Sequence, residues 1–208
     1  MYYLLYGLSI IFYIYLYLFI YIYIYNLIRR PMKPTQKANS EPIKFPMRYL
    51  PKMLNAKDNQ KQLKMLIKSQ KQYAKGIYYN REKVASFKPK KSNHIENARK
   101  IYKVANIAPT KELAVKTGCS LDTLNKIIRK GEGAYYSSGS RPNQTPQSWG
   151  LARLASSLTS GKAAAVDYKI ISEGCDHKKK AFILANKAKE KYKSGHASSK
   201  KVATGIFR

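Results

Sequence analysis

Residues 110–131 read TKELAVKTGCSLDTLNKIIRKG, and this stretch decides the fold class. Thr110 precedes a Lys-Glu-Leu-Ala run, and a threonine hydroxyl in that place accepts from the backbone N–H two or three residues on, so a helix begins after it. Leu113 and Ala114 then face inward. Gly118, four residues past Ala114, stands where the chain turns tightly, which glycine tolerates at positive φ. Ser120 offers a second cap, and Leu124 with Ile127 or Ile128 turns an apolar face back toward Leu113 and Ala114. Gly131 reads as the end of that second helix. Two capped helices around a glycine turn predict a mainly α protein, a small irregular helical domain built on a helix-turn-helix-like pair.

That spacing resembles the helix-turn-helix of transcription regulators and site-specific recombinases, whose second helix lies in the DNA major groove. The resemblance implies reading positions at Ser120, Leu121, Asp122, Thr123, Asn125 and Lys126, with Arg129 and Lys130 near phosphates. Asn125 carries the donor–acceptor pair that suits adenine. An ordinary αα corner has the same spacing, and Asp122 on a reading face would oppose phosphate, so both readings stand. Cys119, in the turn, reads as a small buried apolar residue. A cytoplasmic setting predicts that it and Cys175 are reduced thiols.

Outward from this pair the chain is strongly basic. Its 208 residues hold 40 Lys plus Arg against 11 Asp plus Glu, a net charge of +29. Such a balance selects polyanions as partners: DNA, RNA, anionic lipid or an acidic protein face. It excludes a carboxylate-rich calcium site and a two-acid glycosidase. Two cysteines and three histidines cannot form a Cys₄ or Cys₂His₂ zinc site at normal spacing, so no metal and no cofactor is expected.

Residues 57–75, KDNQKQLKMLIKSQKQYAK, predict a basic helix capped near Asp58 and ended by Gly76, with Leu63, Leu66, Ile67 and Ala74 as a thin apolar stripe. Lys61, Lys64, Lys68 and Lys71, with Lys57 and Lys75, repeat every three to four residues on its other side. A solvated face normally alternates signs; here the acids are missing, which an anionic partner explains. Lys88, Lys90 and Lys91 continue the run through 57–91. Asn93 and Glu96 then open a short helix with Ile95, Ala98 and Tyr102 inward. Asp176 reads as the cap of a last helix through 193, and 194–208 as a disordered basic tail.

The first 28 residues carry no charged side chain. Their length suffices for a membrane-spanning helix, and Arg29, Arg30, Lys33 and Lys37 just after it would put the basic body on the cytoplasmic side. Against this, tyrosines run through the segment, and its Tyr-Ile alternation is the translation of a TA repeat, so a leader ahead of a later start at Met32 or, preferably, Met47 is the competing reading. Prolines 31, 34, 42, 46 and 51 mark 29–56 as a linker.

Residues 131–161 break the pattern, since no lysine lies between Lys130 and Lys162. Thr145 with Pro146 starts a helix through Trp149 and Ala152 to Leu158. The preceding loop, rich in hydroxyls and backbone donors, could hold a phosphate at that helix start, with Arg141, Arg153 and Lys162 contributing charge. Gly161-Lys162 lacks the spacing of a nucleotide-binding P-loop. Ser137, Ser138 and Ser140 have no histidine close in sequence, so no catalytic residue is assigned and the chain reads as a non-enzyme.

The stretch GAYYSSGSRPNQTPQSWGLARLASSLTSGKAAAVD (133–167) resembles a module in uncharacterised proteins of large DNA viruses of algae and protists, with looser relatives in tailed phages. The likeness covers roughly 47–176. It rests most on Gly139, Ser140, Arg141, Pro142, Asn143, Thr145 and Trp149, with Gly131, Ala134, Tyr135, Ser138, Ala152, Arg153 and Lys162 also matching. It implies a viral origin, in host cytoplasm, viral factory or virion, and no mechanism. The expected function is nucleic-acid binding by phosphate neutralisation; the alternative is a virion or membrane-linked protein that bridges membrane or capsid to a genome, with acidic virion proteins as partners.

Overall fold

Each cap signal between residues 110 and 121 closes a helix end in the computed structural model, which describes residues 44–89 and 93–193 and the backbone of 201–203. The Thr110 side chain accepts from Leu113 N, Gly118 takes the left-handed conformation at φ 73, and the Ser120 side chain accepts from Thr123 N. In chain order, strand β1 (Lys44–Pro46) and a 3-10 turn (Met47–Tyr49) lead to α1 (Ala56–Tyr73). Then come α2 (Asn93–Tyr102), α3 (Lys111–Thr117), α4 (Leu121–Ser137), α5 (Pro146–Leu158), α6 (Lys162–Val166), α7 (Tyr168–Gly174) and α8 (Lys180–Tyr192). Strand β2 (Lys201–Ala203) returns antiparallel to β1, with Phe45 opposite Val202. The protein is mainly helical, as the sequence predicts.

The main core gathers one face from nearly every helix after α1: Leu113, Leu124, Ile127, Leu154, Leu158 and Ile171 are fully buried, and Ala181, Ala185 and Ala188 seat α8 on them. Burying each of the larger side chains is worth about 1.5–3 kcal/mol. Helices α4 and α5 pack against each other with their backbones close at two glycines. A methyl group on Gly131 would lie 2.7 Å from the Gly150 Cα, and one on Gly150 would lie 2.9 Å from the Ile128 Cγ2. Gly131 therefore does not end α4, as its sequence position predicts; it lets two backbones touch, and the helix runs on to Ser137.

Residues 44–56, whose prolines read as a linker, are packed. Phe45, Tyr49 and Leu50 join Leu63 and Leu66 of α1 in a second cluster against Trp149, while Leu54, Met65 and Val84 form a third. All described residues fall in one compact unit, Ile43–Arg208.

Three expectations are corrected. Cys119 and Cys175 are joined in a disulfide across 56 residues of sequence, not held as free thiols. They are opposed in an antiparallel bridge flanked by Ser120 N to Gly174 O at 2.9 Å and Asp176 N to Gly118 O at 2.8 Å, the pairing that brings side chains closest. Asp176 does not cap the last helix: its carboxylate accepts from Lys178 N, and α8 begins two residues later without a side-chain cap. The presumed tail contributes β2; its remaining residues lie outside those described. Among the described residues no helix is long and apolar enough to cross a membrane; the apolar segment 1–28 lies outside them.

Candidate nucleic-acid interface

Helix α1 presents the lysines. Asn55 caps it through a bond from Asp58 N at 2.7 Å, and Leu63, Met65, Leu66 and Ser69 fix which side is buried. At roughly 100° per residue, Lys57, Lys61, Lys64, Lys68 and Lys71 then fall within about 80° of circumference on the opposite side. The row is about 21 Å long at 1.5 Å rise. Little opposes it. Asp58 is drawn aside by Ser86, whose hydroxyl and backbone N–H both donate to it at 2.7 Å and hold its carboxyl below the usual range. Glu82 pairs with Lys61 at 2.7 Å, which lowers the glutamate pKa and raises that of the lysine. Lys57, Lys64 and Lys71 are exposed and have no carboxylate partner among the described residues.

An aromatic segment lies along this row. Gly76 at φ 76 and the bond from Ile77 N to Gln72 O at 3.0 Å turn the chain back at the end of α1, the glycine-closed form of a helix C-terminus. The Lys68 ammonium sits 4.5 Å from the Tyr79 ring centroid. Tyr78 packs edge-on against Tyr136 and Tyr73, whose rings stack nearly parallel at 6.0 Å. Lys88 is exposed farther along; Lys90 and Lys91 lie outside the described residues.

Arg81, unnoticed in sequence, anchors the segment. Its guanidinium lies 3.7 Å from the Tyr135 ring and donates to Ser69 Oγ, Tyr135 O and Ser140 Oγ at 3.0, 3.0 and 2.8 Å. Burial pulls its pKa down. The available signal was an arginine standing alone among lysines between Arg48 and Arg99, since a planar guanidinium suits a buried, multiply bonded site.

The 131–161 island supplies the other half of that seam. Gly139, at φ 92, comes so close to Leu66 that a methyl group would lie 2.7 Å from its Cδ2. Ser140 is fully buried beneath Arg81. Asn143, at φ 58, accepts from Val84 N at 2.8 Å and donates to Val84 O and Phe87 O at 3.0 and 3.2 Å. Pro142 is buried, and Trp149 meets Tyr49 edge-on at 6.0 Å. Thr145 and Ser148 close a capping box at the start of α5. Arg141 and Lys162 are exposed.

Arg153 is not open to phosphate. Its Nε and Nη2 bond both oxygens of fully buried Asp167 at 2.8 and 2.7 Å, joined by Ser157 Oγ at 2.9 Å and Lys130 Nζ at 2.8 Å. Burial alone would raise the Asp167 pKa, but the bonds and charges of Arg153 and Lys130 prevail and lower it. Asp167 is the sole carboxylate between Glu132 and Glu173; that isolation was the missed clue to Arg153's partner.

The helix-turn-helix-like pair forms, yet its reading positions are largely occupied. Thr123 is buried and donates to Gly174 O at 3.2 Å, and Ser120 is taken up by capping. Lys126 pairs with Asp122 at 2.7 Å, which raises its pKa. Lys130 also reaches Val166 O at 3.2 Å. Asn125 is half-buried; Leu121 and Arg129 are exposed. These residues lie at the far end of α4 from α1, which meets that helix through Ser69 Oγ to Tyr136 O at 3.1 Å. From Thr123 to Tyr136 is about 20 Å of helix.

From β1 through the disulfide, one family model spans this arrangement, matching residues 46–178. The chain belongs to DUF5824, a family of unknown function. No curated protein and no solved structure matches the chain. The matched region of this DUF5824 member holds the lysine row, the Arg81 seam, the Asp167 network and both cysteines, and it ends before α8 begins.

Proposed function

We propose that this chain binds nucleic acid chiefly by neutralising phosphates along α1. The single observation that carries this reading is the row Lys57, Lys61, Lys64, Lys68 and Lys71 on one helix face, where among the described residues Glu82 is the one carboxylate in an ion pair with a row member. Mutual repulsion among five ammonium groups costs stability, and a polyanion relieves it. The charge of +29 on the whole chain favours the same partner, DNA or RNA. The island's resemblance to proteins of large DNA viruses supports a viral protein acting on a genome in a viral factory or virion.

The test is fluorescence anisotropy of a labelled oligonucleotide titrated at 50 to 200 mM salt. Phosphate contact predicts log K falling linearly with log salt, by about 0.7 per engaged phosphate on a single strand. The double substitution Lys64→Ala, Lys71→Ala should flatten that slope by about 1.4, with unchanged circular dichroism. Salt-independent binding, or none, sinks the proposal.

A second reading, a membrane-linked protein, rests on the uncharged segment 1–28. Flotation of the full chain with lipid vesicles, and not of a chain beginning at Met47, supports it; equal behaviour of the two rejects it.

A further inference from the structure

We infer that the lysine row and its aromatic border form a binding surface for single-stranded nucleic acid, on which Tyr78 stacks an unpaired base. This rests on the phosphate-binding reading above and narrows it to strands with accessible bases.

Tyr78 is 67% exposed and its neighbour Ile77 52% exposed, the most open aromatic–aliphatic pair among the described residues. Exposed rings on monomers are usually mobile and scattered. This one is braced from behind, with its centroid 5.1 Å from Tyr136 and 5.9 Å from Tyr73. Those two rings are in turn stacked on each other, and the Tyr136 hydroxyl donates to Asn80 Oδ1 at 3.0 Å. A ring fixed in place offers a base a stacking face at little further cost in side-chain entropy.

The segment that carries Tyr78 meets the row through its neighbour Tyr79. Lys75 is three residues before Tyr78, across the glycine turn, and Lys68 touches Tyr79 from the row itself. A positively charged track with aromatic side chains along it is the general design of single-strand binding surfaces, since every base has a π-face while the phosphates follow the charge.

A duplex is the weaker fit. Its bases are already stacked, so Tyr78 has nothing to add. The helix that would enter a major groove, α4, has Thr123 buried under Gly174 and Lys126 and Lys130 paired to carboxylates.

The experiment compares three labelled probes at one salt concentration: oligothymidylate, the same length of abasic deoxyribose-phosphate strand, and a blunt duplex. The wild-type chain should bind oligothymidylate at least fivefold more tightly than the abasic strand. Tyr78→Ala should remove about 5- to 160-fold of the oligothymidylate affinity, the range for loss of one stacked base, and leave the abasic and duplex affinities within about twofold. Tyr78→Phe should keep wild-type affinity, because stacking needs the ring and not the hydroxyl.

Equal binding of oligothymidylate and abasic strand, or an unaffected Tyr78→Ala, overturns the stacking inference and leaves phosphate binding standing. Failure to bind all three probes overturns both. Tyr78 is exposed, and circular dichroism of Tyr78→Ala should match the wild type, which separates loss of binding from loss of fold.

Discussion

Substituting Asp167→Asn should destabilise the protein more than any exposed change. The carboxylate is fully buried and accepts from Arg153 Nε and Nη2, Ser157 Oγ and Lys130 Nζ, all within 2.9 Å. Asparagine keeps the shape but offers one acceptor oxygen, and its amide hydrogens face donors. Lys130, 42% exposed, can turn to water, so its share is at most about 1 kcal/mol. Arg153, 18% exposed, cannot, and removing one partner of a buried pair costs about 3–5 kcal/mol. With a urea m-value of about 2 kcal/mol per molar, the unfolding midpoint at pH 7 should fall by about 1.5–2.5 M. The Asp167 pKa is lowered in the fold from an ordinary 3.8, so its contribution is fully present above that value and is lost as pH falls through the folded-state pKa. The gap between wild type and Asp167→Asn should therefore begin to narrow below about pH 4 and go on narrowing until pH passes the folded-state pKa. Replacing both partners, Asp167→Leu with Arg153→Met, should cost less than Asp167→Asn alone, because no cation is then stranded. A midpoint within about 0.5 M of wild type at pH 7, or a gap unchanged at pH 3, would refute the reasoning.

Two glycines of α4 should respond to alanine with opposite signs. Gly131→Ala meets the Gly150 Cα at 2.7 Å and should lose about 1–3 kcal/mol in urea denaturation, whereas Gly133→Ala meets only the Tyr73 hydroxyl at 3.4 Å and should gain up to about 1 kcal/mol from helix propensity. Reducing Cys119–Cys175 releases a loop of 56 residues' separation and should remove about 4 kcal/mol on the loop-entropy estimate; a thermal midpoint insensitive to dithiothreitol counts against it. Asn143→Ala deletes three bonds to Val84 and Phe87 and places alanine at φ 58. Amide exchange should accelerate around residues 84–87 first, with a total loss of about 2–4 kcal/mol.

The helix pair at 110–131 was legible because its signals are local. Thr110, Gly118 and Ser120 each act on backbone groups within about four residues, and the apolar spacing of Leu113, Leu124 and Ile127 needs only helical periodicity. What was illegible depends on partners distant in sequence. Gly131 looks like a helix end because glycine serves both to stop a helix and to let another approach, and only the position of Gly150 separates the two. Thr123 is a plausible reading residue until Gly174 lies over it. Arg153 reads as a phosphate ligand while its carboxylate, fourteen residues on, goes unmatched. The cysteines face each other only because α7 returns its C-terminus to the turn after α3. The lysine row was legible as a face; that Tyr78 and Tyr79 border it depends on the turn at Gly76.

At its buried positions the absence of lysine from 131–161 has a packing cause, which shifts where function should be sought. Gly131, Tyr135, Gly139, Ser140, Pro142, Gly150, Leu154 and Ser157 are all buried, because α4, the following loop and α5 are clasped by α1 and residues 77–89 on one side and the main core on the other. A lysine there would lose hydration without a carboxylate to replace it, or would have to thread its stem out to solvent. Arginine is tolerated where a second carbonyl, hydroxyl or carboxylate can bind its planar fork, as at Arg153 and, from the opposing segment, Arg81. Ser140 and Asn143 are needed for what they hold in place: Arg81 on Tyr135, and the Val84–Phe87 segment along α1. The island thereby sets the position of residues 77–89 against the lysine row. Substitutions at Ser140 or Asn143 should consequently weaken nucleic-acid binding only as far as they loosen that segment, whereas Tyr78→Ala and Lys64→Ala should weaken it in a chain that remains fully folded.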